Sequence, residues 1–359
     1  MTRTAIVLTL ALVAAPVAVA TAQTGPVPRA LGTVEVTAGP TPCDGQTCYD
    51  LIVTCPEVSA PARARLKVGG RAERGSILFM TGGLGIGLYE TGQGLATPPA
   101  NGSEPEAGRI VRETRDAGFR SIQLQWIDSW LIAAPGAVEG HARLACRSAT
   151  VARWIADELS PGAGSRTFCA TGHSAGGAQT SYMLSHYGLD DLLSAAVITG
   201  GPPFGRLDRA CSSDPEDQPF AGSVWGRNVM DAGFGGRAGT FAGGTLAGGW
   251  DGPGSGPCAT SDLESREMFR QASVASGDGD YTHPTTSIAF VIEGIVGMEV
   301  AHAADYRDLL RREGTSRVSH DVVPGVEHEG VNGLYNDRDG TDLIRDLLIA
   351  ECRRHPAGR

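Results

Sequence analysis

The sequence has few of the features that mark several large classes of protein. Basic residues are fewer than acidic ones, 30 against 40, and the net charge is −10 with no basic patch, so a nucleic-acid partner is not expected. The eight cysteines form no C-x-x-C pair, and a zinc site is therefore not expected. No internal repeat occurs, and beyond the N-terminus no apolar run is long enough to span a membrane. What remains is a globular protein for which we expect neither a metal nor a cofactor.

The N-terminus is strongly apolar. Residues 1–22 combine a positive charge at Arg3, an apolar run over residues 6–19 and small residues at positions 18, 20 and 22, a combination typical of a secretory signal peptide. We expect cleavage there and a secreted or periplasmic mature chain without a membrane span. A permanent N-terminal anchor is the alternative.

All eight cysteines follow the expected cleavage site. An even number of cysteines in an exported chain favours disulfides over free thiols. The spacing makes two local closures plausible, Cys43 with Cys48 and Cys211 with Cys258. It leaves the pairing of the other four open.

Short apolar runs alternate with helical segments from residue 50 to residue 351. This alternation predicts an α/β fold, with a mostly parallel sheet flanked by helices. The uninterrupted apolar run 76–81 is typical of a strand buried on both faces. Runs 50–56 and 62–68 are expected to pair antiparallel at the sheet edge.

The composition also divides the mature chain. Residues 23–48 are rich in Pro, Gly and Thr and are expected to form an irregular lead-in. The core is predicted in two parts, residues 49–203 and 287–359. Between them, residues 204–286 are dense in Gly and Pro and are interpreted as a cap or lid over the functional site; we call them the cap segment.

The segment from residue 166 to residue 187 reads as a strand, a sharp turn and a helix. The turn contains Gly172-His-Ser-Ala-Gly, in which the glycines remove β-carbons that would collide. In a chain with 50 glycines the pentapeptide alone says little. The flanking strand and helix favour a nucleophile at Ser174 over a plain glycine-rich turn.

A second glycine-rich segment, residues 82–87, directly follows the buried run 76–81. It does not satisfy G-x-G-x-x-G, so a dinucleotide site is not expected. The backbone N–H groups of such a loop can stabilise an oxyanion. A plain flexible loop is the alternative.

A serine hydroxyl is a weak nucleophile unless a base with a pKa near neutrality takes its proton, and histidine is the natural base. Of the eight histidines, His328 lies on the loop immediately after the last predicted strand, residues 318–323. It can therefore reach the end of the sheet that carries Ser174. An ordinary polar loop residue is the alternative.

These three elements together resemble the α/β-hydrolase superfamily over about residues 50–352, excluding the cap segment. The motifs are Gly172-His-Ser-Ala-Gly-Gly after a strand, the glycine loop after an earlier strand, and Pro324-Gly-Val-Glu-His near the C-terminus. The resemblance implies Ser174 as nucleophile and His328 as base. It also implies an oxyanion hole formed by the N–H of Ala175 and one near Gly83 or Leu84.

The sequence departs from that superfamily at the acid of the triad. The superfamily commonly places Asp three residues after a glycine that closes the penultimate core strand; here Gly294 is that glycine, and the position holds Gly297. We predict Glu299, two residues further on, as the acid. Asp208 and Glu293 are the alternatives, and a site without any acid is a further one.

The predicted function is that of a serine hydrolase, which cleaves a carboxylic ester of a small-molecule or polymeric substrate through an acyl-enzyme. A peptidase of the same fold is one alternative. A hydrolase-fold binding protein without catalysis is another, motivated by the glycine at position 297.

Overall fold

The computed structural model describes residues 28–92, 103–134, 136–160, 167–221, 224–235, 256–276, 278–295, 297–328 and 333–352. The predicted signal peptide lies outside the described residues, as does the middle of the cap segment, residues 236–255.

Strands and helices alternate through the described ranges. The strands are β1 (Thr33–Cys43), β2 (Gln46–Thr54), β3 (Ala62–Gly69), β4 (Gly75–Met80), β5 (Phe119–Trp126), β6 (Thr167–His173), β7 (Ala195–Thr199), β8 (Ser287–Glu293) and β9 (Val318–Val323). The α-helices are α1 (Glu106–Asp116), α2 (His141–Leu144), α3 (Cys146–Trp154), α4 (Ala175–Ser185), α5 (Leu207–Ala210), α6 (Val224–Ala232), α7 (Arg266–Ala272), α8 (Met298–Arg312) and α9 (Arg338–Glu351). In the part of the chain that the structure describes, no helix has both the length and the apolar character to cross a bilayer.

The strands form one sheet in the order β1-β2-β3-β5-β4-β6-β7-β8-β9. Pairs β1–β2, β2–β3 and β3–β5 are antiparallel, and all the others are parallel. The prediction of a mostly parallel sheet with an antiparallel end is confirmed. Because parallel strands point the same way, the loops after β4, β6, β8 and β9 gather at one edge of the sheet.

Strand β4 is buried along its whole length, as its apolar run predicts. Successive side chains of a strand point to opposite faces. Ile77 and Phe79 accordingly belong to a core that includes residues of α1 and α9, while Leu78 and Met80 belong to a larger core that includes residues of α3 and α4. Helices cover both faces of the sheet, and this fixes the central strands that carry the site.

The predicted irregular lead-in is wrong from Thr33 onward, because β1 occupies residues 33–43 and β2 begins at Gln46. β1 is an edge strand whose register shifts between Val36 and Ala38 and again between Ala38 and Thr41. The second shift contains Gly39 and Pro40, residues that a regular ladder disfavours but an edge strand with bulges accepts. Their presence is what made the segment look irregular in the sequence.

All eight cysteines are paired. The two local closures, Cys43–Cys48 and Cys211–Cys258, are confirmed. The other two disulfides join distant parts of the chain, Cys55 to Cys146 and Cys169 to Cys352. The last of these ties the central strand β6 to the end of α9.

The described part of the cap segment is held together through Asp231 of α6. Its carboxylate is 1% exposed and accepts hydrogen bonds from the N–H groups of Cys258 and Ala259, at 2.7 and 3.0 Å. Burial raises the pKa of this carboxyl from 3.8 to about 6, outweighing the two N–H donors. The group therefore binds a proton more tightly in the folded chain than in the unfolded one.

The raised pKa of Asp231 makes a prediction about stability. Protonated Asp231 stabilises the folded chain, and this contribution to the free energy of unfolding is complete below pH 3.8. It is lost as pH rises through about 6, and the loss is about 2–3 kcal/mol. We expect the free energy of unfolding of wild type, relative to Asp231→Asn, to fall between pH 4 and pH 7 in urea titrations. The exposed carboxylate of Asp116 gives the control, since Asp116→Asn should not follow this pH dependence. A constant difference between wild type and Asp231→Asn would contradict the prediction.

Candidate active site

Ser174 lies in the sharp turn between β6 and α4 that the sequence predicts. Its backbone has φ 51° and ψ −119°, values that a residue with a side chain rarely adopts. A β-carbon on Gly176 would lie 2.6 Å from the carbonyl oxygens of Met80 and Thr81, and one on Gly172 would collide with the backbone of Gly176. Both glycines are needed for the turn, which holds the serine at the end of the strand.

His328 lies on the loop after β9, and its ring reaches Ser174 across 154 positions of sequence. The hydroxyl Oγ of Ser174 is 3.1 Å from Nε2 of His328. On the other side of the ring, Nδ1 is 3.0 Å from Oε1 of Glu293. An ionised carboxylate only accepts hydrogen bonds, so Nδ1–H donates to Glu293, which leaves Nε2 as the acceptor for the serine hydroxyl.

Glu293, rather than the predicted Glu299, contacts Nδ1 of the histidine. Glu293 is the last residue of β8 and is 1% exposed. Glu299 lies in the first turn of α8, and its Oε1 is 3.9 Å from Nε2 of His328, on the serine side of the ring. The structure therefore does not place the predicted Glu299 at Nδ1: the carboxylate there comes from the end of the strand itself, one residue before Gly294, and not from the loop after it.

The other alternative acid, Asp208, is engaged elsewhere. It lies on α5, and both of its carboxylate oxygens accept hydrogen bonds from Arg206, at 2.9 and 2.8 Å. This bidentate ion pair engages both oxygens of Asp208, so the carboxylate has its partner outside the candidate site.

The backbone donors that the sequence predicts lie beside Ser174. Ala175 is the first residue of α4, so its N–H has no acceptor within the helix. Gly83, with φ 54°, lines the same pocket as Ser174, Ala175 and His328. Leu84 is not among the lining residues.

Several hydrogen bonds fix the glycine-rich loop. Gly85 N–H donates to the carbonyl of Gly82 and Thr81 Oγ1 to that of Gly87, at 3.0 and 3.2 Å. Ser129 Oγ donates to the carbonyl of Leu84 at 3.1 Å. The loop is therefore held in place by its neighbours and is not a plain flexible connection.

A buried polar network that sequence reasoning missed packs behind His328. The ring of His173 stacks on that of His328, with centroids 4.7 Å apart and planes at 25°. Burial, with a smaller contribution from the nearby His328, holds the pKa of His173 well below its usual value, so this ring is neutral. The hydroxyls of Tyr335 and Thr199 lie 2.9 Å apart, and those of Tyr335 and Tyr89 lie 2.6 Å apart. The sequence signal for this network was the histidine next to Ser174, whose ring packs against that of His328.

A pocket of about 210 Å³ opens in front of the serine. Apart from the site residues already named, its walls are mostly apolar: Pro203, Phe204, Gly226, Val229, Met230 and Met298. Phe204, Gly226, Val229 and Met230 belong to the cap segment. The described part of that segment therefore contributes directly to the wall of the pocket.

Ionisable groups are concentrated at one side of this pocket. The ligand atoms of Glu293, Glu299 and His328 all lie within 4.8 Å of one another, a grouping that could hold a metal ion. The serine hydroxyl donates to Nε2 of His328 and Nδ1–H donates to Glu293, so the same group of residues also has the form of an acid–base relay.

The chain has the architecture that the sequence predicts, a mostly parallel sheet flanked by helices, with Ser174 in the turn after a central strand. No family model matches the sequence, and a search of curated proteins finds no significant match.

Solved structures with a similar fold include three enzymes. A truncated carbohydrate esterase from gut microbiota is 12% identical, with a TM-score of 0.47, and the match covers 92% of this chain and 100% of that one. A carboxyl esterase from Bacillus coagulans is 13% identical, with a TM-score of 0.49, covering 84% and 97%. An acylaminoacyl peptidase from Pyrococcus horikoshii is 10% identical, with a TM-score of 0.45, covering 88% of this chain and 50% of its own. At these identities the likeness concerns the fold and does not identify the activity.

Proposed function

We propose that this protein is a serine hydrolase that cleaves a carboxylic ester through an acyl-enzyme, with Ser174 as nucleophile, His328 as base and Glu293 as the orienting acid. The observation that supports it is the continuous chain of hydrogen bonds from the Ser174 hydroxyl through His328 to Glu293, at 3.1 and 3.0 Å. This is the arrangement of nucleophile, base and orienting group by which a serine triad activates its hydroxyl.

The first half of the reaction forms the acyl-enzyme. Nε2 of His328 takes the proton of Ser174 as Oγ bonds to the ester carbonyl carbon. Glu293 stabilises the imidazolium that results. The carbonyl oxygen, now an oxyanion, accepts hydrogen bonds from the N–H of Ala175 and from the loop at Gly83, and one such donor contributes about 2.7–4 kcal/mol in the transition state. The bond from carbon to the alcohol oxygen then breaks, and the leaving alkoxide takes the proton from Nε2.

The second half releases the acid. A water molecule gives a proton to Nε2 of His328 and bonds to the acyl carbon. The bond from that carbon to Oγ of Ser174 then breaks, and the serine recovers its proton from Nε2. Neutral His173 suits this cycle, because a second charge beside the imidazolium would oppose its formation.

The alternative of a non-catalytic binding protein is not supported by the geometry of the site. It arose because position 297 carries no carboxylate, and Glu293 now supplies one at the correct nitrogen. The peptidase alternative requires the same triad, so it is separated by substrate. We further propose that the mature chain is exported, since four disulfides persist in oxidising compartments, and that the cap segment acts as a lid over the pocket.

The proposed function predicts selective labelling by an active-site probe. A fluorophosphonate should react with the folded protein once per chain, because only the activated serine attacks phosphorus rapidly, and peptide mass mapping should place the adduct on Ser174. Protein unfolded in urea is the control and should remain unlabelled. We then expect turnover of p-nitrophenyl acetate or butyrate to exceed that of aminoacyl amides. Absence of an adduct in folded protein would contradict the proposal, and faster amide turnover would favour the peptidase.

A further inference from the structure

The carboxylate of Glu299 faces the reaction pocket and has no part in the relay of Ser174, His328 and Glu293. Glu299 lines the pocket beside Ser174, and its Oε1 is 3.9 Å from Nε2 of His328, the nitrogen that faces the scissile bond. The residue is 8% exposed. A carboxylate at this position lies within reach of any group attached close to the ester.

The surroundings of Glu299 favour a negative charge. Glu299 lies in the first turn of α8, a 15-residue helix, where the partial positive charge of the helix N-terminus stabilises an anion. The first turn of α8 contains no second acidic residue. The helix thus presents one carboxylate to the pocket.

The charges around the pocket are one-sided before reaction. The proposed reaction requires a neutral His328 to accept the serine proton, and in that state the carboxylates of Glu293 and Glu299 are the acidic groups at this end of the pocket. The described lining residues include neither lysine nor arginine. The rest of the wall is mostly apolar, which weakens the screening of a charge inside it. A net charge of −10 for the whole chain also attracts cations towards the surface.

We propose that Glu299 is a specificity-determining residue that selects esters with a positively charged group close to the scissile bond. The inference rests on the proposed ester hydrolysis and names a substrate class for the same site. The cation would lie against the carboxylate of Glu299, with its apolar part against Phe204 and Met298, and an anionic substrate would be repelled from the same position.

The test compares two esters of the same shape. Acetylcholine and 3,3-dimethylbutyl acetate differ in having nitrogen or carbon at the branch point, and thus in charge alone. We expect wild type to prefer acetylcholine in kcat/KM by at least about tenfold, and Glu299→Gln to reduce this ratio to near one. The ratio cancels any effect of Glu299 on chemistry that the two esters share, including an effect through its contact with His328.

Three further measurements keep the test decisive. Glu35→Gln, which removes an exposed carboxylate on β1, should keep the wild-type ratio. Raising NaCl from about 0.05 M to about 1 M shortens the Debye length severalfold, and it should lower the ratio in wild type but not in Glu299→Gln. Fluorophosphonate labelling of Glu299→Gln verifies that the variant is folded and that its serine is active; Glu299→Asp replaces it if labelling is lost.

The outcomes separate the inference from the proposed function. If neither ester is cleaved and Ser174 is not labelled, the proposed function itself fails. If both esters are cleaved and the ratio is near one in wild type, or is unchanged in Glu299→Gln, the inference is overturned while ester hydrolysis stands. Glycerol monoacetate is the third substrate. If kcat/KM is higher for it than for 3,3-dimethylbutyl acetate, if this preference depends on Glu299, and if acetylcholine is not preferred, then Glu299 accepts a hydrogen bond from a substrate hydroxyl and the assignment of a cation is overturned.

Discussion

Replacing Ser174 with alanine should reduce kcat for p-nitrophenyl acetate by between about 10⁴-fold and 10⁶-fold. The substitution removes the nucleophile of the proposed mechanism, while the backbone N–H groups near Ala175 and Gly83 and the pocket walls remain. What survives is the modest rate enhancement that binding and oxyanion stabilisation supply alone. Initial rates at several enzyme concentrations, with active-site titration of wild type, measure the loss.

The matched control is Ser319→Ala, which removes an exposed serine hydroxyl on β9 and should leave kcat within about twofold. Circular dichroism and thermal unfolding should show that both variants are folded. Turnover by Ser174→Ala equal to that of wild type would refute the proposed mechanism, since the chain of hydrogen bonds begins at that hydroxyl.

The parts of the fold that the sequence predicts are those governed by local pattern. The apolar run of β4 predicts a strand covered on both faces, and the structure buries all six of its residues. The strand, glycine turn and helix around Ser174 are also a local pattern, because Gly172 is needed for a close approach four residues away; the need for Gly176, which packs against Met80 and Thr81, is long-range. His328 was predictable through topology: a loop after a parallel strand must lie at the same edge as the turn after β6.

The parts that the sequence could not supply depend on how distant segments meet. Counting residues after Gly294 assumed that the acid extends from a loop, and the choice between Glu293 and Glu299 depends on which ring nitrogen of His328 each one reaches. The stacking of His173 on His328 likewise depends on the position of the loop after β9.

The two long-range disulfides raise the same difficulty. Cys55 lies 91 positions from Cys146, and Cys169 lies 183 positions from Cys352. Such pairs meet only after the sheet and its covering helices are assembled. Cys43 and Cys48, by contrast, are five positions apart on one hairpin, where spacing alone suggests the pair.

Glu293→Gln should lower kcat for the same ester by about 10⁴-fold, with a much smaller change in KM. Glutamine keeps the shape of the buried side chain but loses the charge that stabilises the imidazolium. It can also turn its NH₂ towards Nδ1, which would hold the proton on Nε2 and leave no acceptor for the serine hydroxyl. Comparison of kcat across pH 5–9 in wild type and Glu293→Gln measures the loss and shows whether it persists where the histidine is neutral.

Substituting the other two candidate acids, Asp208 and Glu299, tests which carboxylate orients His328. Asp208→Asn should leave kcat within about threefold, because Asp208 is paired with Arg206 and does not contact His328 in the described chain. Glu299→Gln should cost less than Glu293→Gln on a neutral ester, because Glu299 approaches Nε2 and not Nδ1. If Glu299→Gln instead lost about 10⁴-fold and Glu293→Gln were mild, the acid would be the residue expected from the sequence, and the histidine ring would have to turn over during catalysis. The hydrogen bond of 3.0 Å between Nδ1 and Glu293 argues against that turn, because breaking it would leave a buried carboxylate without its donor.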